Sequence, residues 1–164
     1  MGLVLLAALV QAACATSVTT VYVVRHAEKQ GGEDPELTAA GHARAQELAR
    51  MLDGVPVSAV YSTDTKRTRQ TAQPLAAAKG LSVQPYAAPT DVRELAAAHK
   101  GQVVVVVGHS NTVPAIIDAL GGQAPFELIP DTQFDHLFLL VVSQGGGSSS
   151  QVQVLHMRYG PATP

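Results

Sequence analysis

The chain has 164 residues, of which 46% are hydrophobic and 15% charged, so it is long and apolar enough for one globular domain with a real core and is not a disordered chain. Its formal net charge of -2 gives nucleic acid or an anionic membrane surface no general electrostatic partner, so basic residues matter by position rather than by number. The single cysteine, Cys14, excludes an intrachain disulfide.

In chain order, "MGLVLLAALVQAACATS" opens with an apolar run from Leu3 to Val10 followed by small residues, the pattern of a signal peptide. The run is too short to span a membrane. Ala13-Cys14-Ala15 offers small residues around a cleavage point after Ala15, and Cys14 as a lipidated first residue is the alternative. Residues 1–15 are therefore read as a leader and 16–164 as the domain, exported to a periplasmic, secreted or lipid-anchored location. If the opening is instead an ordinary helix, the location is cytoplasmic. A domain that starts at Thr16 contains no cysteine, which removes thiol chemistry.

Thr19–Val24 is β-branched and continuously apolar and predicts a strand. "LTAAGHARAQELARML" at 37–52 predicts a helix, with Thr38 as N-cap and Ala45, Leu48, Ala49 and Leu52 on one stripe. Val57–Tyr61 predicts a short strand. Thr65–Lys79 predicts a helix, kinked at Pro74 and stopped by Gly80. Leu81–Tyr86 predicts a strand, Asp91–His99 a helix, Gln102–Gly108 a buried strand, and Thr112–Leu120 a helix ended by Gly121-Gly122. Gln133–Val142 and Gln151–Arg158 then follow as strands, joined across "GGGSSS" at 145–150. This alternation implies an α/β fold of three layers, a mostly parallel sheet with helices on both faces and an antiparallel C-terminal hairpin at its edge. Ligands of such sheets sit at the carboxyl ends of the strands, where His26 and His109 fall.

Arg25-His26 leaves the first of these strands. A core role for the histidine does not explain the neighbouring arginine, because a buried guanidinium needs an anionic or carbonyl partner. A metal role suffers from the adjacent cation, and no H-E-x-x-H or His/Cys cluster is present. A histidine beside fixed positive charge suits attack on a phosphoryl group, with the arginine stabilising the transferring oxygens. "YSTDTKRTRQTA" at 61–72 places Arg67 early in a helix and on one face with Thr71; the plainer reading is a solvated basic face. In "GHSNT" at 108–112, Gly108 permits close backbone approach, Ser110 or Asn111 can cap the next helix, and His109 is either a phosphate donor or a structural corner residue.

Together "VVRHAEK" (23–29), "LTAAGHARA" (37–45), "YSTDTKRTRQTA" (61–72) and "VVVGHSNT" (105–112) resemble, in order, the motifs of the histidine phosphatase superfamily, also called phosphoglycerate-mutase-like, branch 1. The length is similar to that of its small single-domain members. The resemblance implies that His26 is the phosphorylated nucleophile and that Arg25, Arg67 and His109 complete the phosphate pocket. It implies a phosphomonoester hydrolase with no metal or organic cofactor, acting on a small phosphorylated substrate. The family also uses an acid to protonate the leaving oxygen. Asp91, in "YAAPTDVREL", is the first candidate, Glu94 the second and Glu28 the third; Asp91 and Glu94 are equally placed to start a helix. Two other readings use the same residues: a domain that binds phosphate without turnover, and a phosphoglycerate-mutase-type phosphotransferase. His42, His99, His136 and His156 match no catalytic position and are read as surface or structural.

Overall fold

The computed structural model describes residues 17–144 and 150–164. The leader expected at 1–15, with Cys14, and nearly all of the 145–150 connection lie outside them. The elements are β1 (Ser17–Arg25), α1 (Ala39–Met51), β2 (Val57–Ser62), α2 (Lys66–Ala78), β3 (Val83–Pro85), α3 (Asp91–Ala98), β4 (Val103–Gly108), α4 (Thr112–Ala119), β5 (His136–Gln144) and β6 (Ser150–Arg158). Every element expected from the sequence forms, with its ends moved by a residue or a few.

The sheet has six strands in the order β3-β2-β4-β1-β5-β6. β1 and β2 flank β4 in parallel, and β3 joins β2 in parallel. β5 runs antiparallel to β1, and β6 antiparallel to β5. The valine runs form the centre because β-branched side chains fit a pleat that is covered on both faces. Val21, Val23, Val104 and Val106 point into one core, against Val92 and Ala96 of α3 and Val113, Ile116 and Ile117 of α4. Val24, Val105 and Val107 point into the other, against Leu48 and Leu52 of α1 and Ala72, Leu75 and Ala76 of α2. The strand period of two thus divides a single valine run between both layers.

Helix ends are set by specific groups. Thr38 Oγ1 accepts from the Gly41 N–H at 3.1 Å, as expected of an N-cap. α2 continues through Pro74 to Ala78 and ends where Gly80 adopts a φ of 67°. There the Leu81 N–H reaches Ala76 O at 2.8 Å and the Gly80 N–H reaches Ala77 O at 3.1 Å, a Schellman closure that needs the left-handed residue. Neither Ser110 nor Asn111 caps α4 in the expected way. Asn111 is the N-cap residue but sits in the helical region (φ -94°, ψ -28°), not the extended one from which a side chain folds back, and its side chain makes no cap bond. The bond at this corner comes from Thr112, whose Oγ1 accepts the His109 N–H at 2.7 Å.

Candidate active site

β1 and β4 are hydrogen-bonded neighbours with Arg25 opposite Gly108, and the His26 N–H extends the ladder to Gly108 O at 2.8 Å. The residues just past both strand ends, His26 and His109, therefore meet. Their rings lie edge to face with centroids 5.4 Å apart. A side chain on Gly108 would intrude here, since a Cβ would stand 2.6 Å from Thr112 Oγ1.

His26 is almost fully buried, at 3% exposure. Its Nδ1 lies 2.8 Å from Ala27 O. A carbonyl only accepts, so Nδ1 carries the proton and Nε2 keeps its lone pair. Burial pushes the His26 pKa down to about 3; the Ala27 bond opposes this, and Arg25, His109 and Arg67 add to it. The ring is thus neutral at pH 7, with the Nε2 lone pair free to accept or to attack. The backbone after it is pinned from α2, where Thr71 Oγ1 accepts the Ala27 N–H at 2.9 Å and donates to Arg67 O at 2.7 Å.

Arg67 lies in the first turn of α2, and its Nη2 donates to His109 Nδ1 at 3.3 Å. His109 Nε2 then donates to Thr63 Oγ1, 2.8 Å away at the end of β2. Burial, followed by Arg67 and Arg25, pushes the His109 pKa down to about 4. Both of its nitrogens are engaged.

Arg25 is 3% exposed and lies under a loop that precedes β5. Its Nη1 donates to Pro130 O at 2.7 Å and Gln133 O at 3.0 Å, Asp131 stands 3.5 Å from Nη2, and the Phe134 ring packs 4.4 Å from the guanidinium carbon. The Nε groups of Arg25 and Arg67 are buried with no protein partner. Two unpartnered guanidinium N–H groups in one cluster are the signature of a planar oxyanion site.

Two of the three acid candidates are engaged elsewhere, and the third is exposed. The Asp91 carboxylate turns back from the start of α3 and accepts the N–H groups of Ala87 and Ala88 at 3.1 and 2.8 Å. Glu28 forms a two-oxygen pair with buried Arg44 of α1, at 3.0 Å from Nε and 2.8 Å from Nη2. Glu94 is exposed on α3. Among the described residues no hydrogen bond or ion pair links any of the three to His26, Arg25, Arg67 or His109. Of the remaining histidines, His42 and His156 are exposed, buried His136 bonds to Gln133 and His156, and His99 bonds to Tyr61.

Sequence reasoning did not single out Thr63, Phe134, Asp34 or Arg44. Thr63 lies inside the 61–72 segment and was legible as the residue after a strand end. Phe134 enters from a loop with no motif. Asp34 reaches α2 from the loop after β1 and accepts the Lys66 N–H at 2.9 Å.

The sequence profile of the histidine phosphatase superfamily (branch 1) matches residues 21–88. That range holds Arg25, His26 and Arg67; His109 joins them through the fold. No curated protein matches the chain at comparable significance. Among solved structures, the chain is similar to the putative phosphohistidine phosphatase SixA from Agrobacterium tumefaciens, at 25% identity and a TM-score of 0.55, over 84% of this chain and 97% of that one. It is also similar in fold to the mycobacterial glucosyl-3-phosphoglycerate phosphatase (18% identity, TM-score 0.64, 84% and 97% covered). A third likeness is to the Entamoeba histolytica phosphoserine phosphatase in complex with 3-phosphoglyceric acid (18% identity, TM-score 0.58, 74% and 90% covered). The profile match at 21–88, the six-stranded sheet and these likenesses agree with the family that the four sequence motifs resemble.

Proposed function

We propose that the protein is a phosphatase that works through a transient phosphohistidine on His26. One observation carries the reading: the Ala27 carbonyl fixes the proton on Nδ1 and leaves the Nε2 lone pair of a neutral ring among Arg25, Arg67 and His109. In the first step Nε2 attacks phosphorus and the bond to the leaving oxygen breaks. In the second, water attacks phosphorus, the P–N bond breaks, and phosphate leaves with the lone pair restored to Nε2. The guanidinium groups balance the charge that spreads over the equatorial oxygens, so the residues supply the electrostatics without a metal ion.

The substrate is a small phosphorylated molecule, a class that fits the substrates named for the phosphoserine and glucosyl-3-phosphoglycerate phosphatases. With Asp91 and Glu28 tied up, protonation of a poor leaving group is the weak step. That favours leaving groups that depart without help, and it keeps phosphate binding without turnover as the second reading. The apolar opening supports export of the domain.

Hydrolysis of p-nitrophenyl phosphate across pH, with chelator present, tests the reading. The expected result is turnover that persists in chelator and falls by at least roughly a thousandfold in His26→Ala. Folded wild-type protein that binds phosphate but releases no nitrophenol establishes the binder instead, because this leaving group scarcely needs an acid.

A further inference from the structure

Asp34 has three features that no other described carboxylate combines. It is the one non-glycine residue with positive φ among those described, at 42°. Its Oδ1 accepts the N–H of Lys66, the first residue of α2, at 2.9 Å, while the N-cap Thr65 makes no side-chain cap bond of its own. The same Oδ1 stands 3.6 Å from Arg67 Nη1, on the guanidinium that bonds His109 through its other nitrogen.

A cap alone does not require a charge. Asn caps a helix start as well as Asp and tolerates positive φ at least as readily. What only the carboxylate adds is a negative charge against an arginine of the phosphate pocket. At 3.6 Å the pair is loose, so Arg67 is free to turn to an incoming anion. Asp131 stands similarly against Arg25, but it is 94% exposed and unanchored, whereas the Lys66 N–H holds Asp34 in place.

Resting on the phosphatase reading above, we propose that Asp34 is a specificity-determining residue of the phosphate pocket. Its fixed charge weakens the hold of Arg67 on a free phosphate dianion and so favours release of the product over its retention. A phosphomonoester has further contacts through its organic group with which to offset that repulsion; inorganic phosphate has none. The anchor on the α2 backbone keeps the charge from swinging away when the pocket fills.

The test is Asp34→Asn, which retains the cap and the backbone conformation. Calorimetric titration with inorganic phosphate at low ionic strength should show binding roughly tenfold tighter than wild type, with the gap narrowing as salt is raised. The KM for p-nitrophenyl phosphate should fall by a smaller factor while kcat does not rise. Asp34→Gly, which removes the charge and the cap but suits the positive φ, should tighten phosphate to a similar degree despite a lower melting temperature. Unchanged or weaker phosphate binding in Asp34→Asn, with wild type binding phosphate and Arg67→Ala losing it, overturns the inference and leaves the pocket intact. If neither wild type nor Asp34→Asn binds phosphate, the pocket reading falls and this inference with it.

Discussion

His26 and Asp91 show how one hydrogen bond decides what a side chain can do. The Ala27 carbonyl assigns the His26 tautomer, and burial keeps the ring neutral. The Asp91 carboxylate is instead committed to the N–H groups of Ala87 and Ala88. Asp91→Ala should therefore cost about 1 kcal/mol of stability by loss of those bonds, measured by urea unfolding. It should leave unchanged the slope of log kcat against leaving-group pKa over a series of aryl phosphates. A steeper slope in the variant would restore Asp91 as the acid. In wild type that slope should already be steep, because among the described residues none of Asp91, Glu94 and Glu28 is bonded to His26, Arg25, Arg67 or His109.

Helix α1 and the turn after β1 show how elements are locked to one another. Gly41 lies where α1 crosses the Glu28 backbone, and a Cβ there would stand 2.1 Å from Glu28 O. In an exposed helix Gly→Ala stabilises by up to ~1 kcal/mol. At Gly41 the sign reverses: Gly41→Ala should cost about 3 kcal/mol, seen as a lower denaturant midpoint with an unchanged m-value. Three residues on, Arg44 is 2% exposed; its guanidinium holds Glu28 and also donates to Tyr159 O at 2.8 Å and Pro161 O at 2.9 Å. One buried cation thus ties α1, the segment after His26 and the chain beyond β6. Glu28→Gln leaves that charge without its counter-ion and should cost roughly 3 kcal/mol, read by the same unfolding experiment.

Across the whole molecule, burial pushes His26 down to about 3 and His109 and His136 down to about 4, from an ordinary value of 6.5. Between about pH 4 and 6.5 the unfolded chain binds protons that the folded chain refuses, so stability rises with pH through this window and is lost as pH falls. His26 alone contributes at most about 1.4 kcal/mol per pH unit. Unfolding midpoints taken from pH 7 to pH 4 should fall steadily, and His26→Ala should flatten the decline.

The β-branched runs, the alanine-rich amphipathic stretches and the glycines at 80 and 121 specify every strand and helix locally, so the layers and the parallel centre were legible. Two strands that end in histidine and lie side by side bring His26 and His109 together by topology alone. What the acids do was not legible, because it depends on partners far along the chain: Arg44 for Glu28, 16 residues on, and Lys66 and Arg67 for Asp34, with Lys66 32 residues on. Asp91 was ambiguous for a different reason, since its position fits a helix start and a catalytic loop equally well. Local periodicity and turn chemistry act within a few residues, and they alone determined the elements and the place of His26 just past β1. Which carboxylate meets which cation is set only when the elements pack, because a buried charge takes whatever partner the folded chain brings within hydrogen-bond reach.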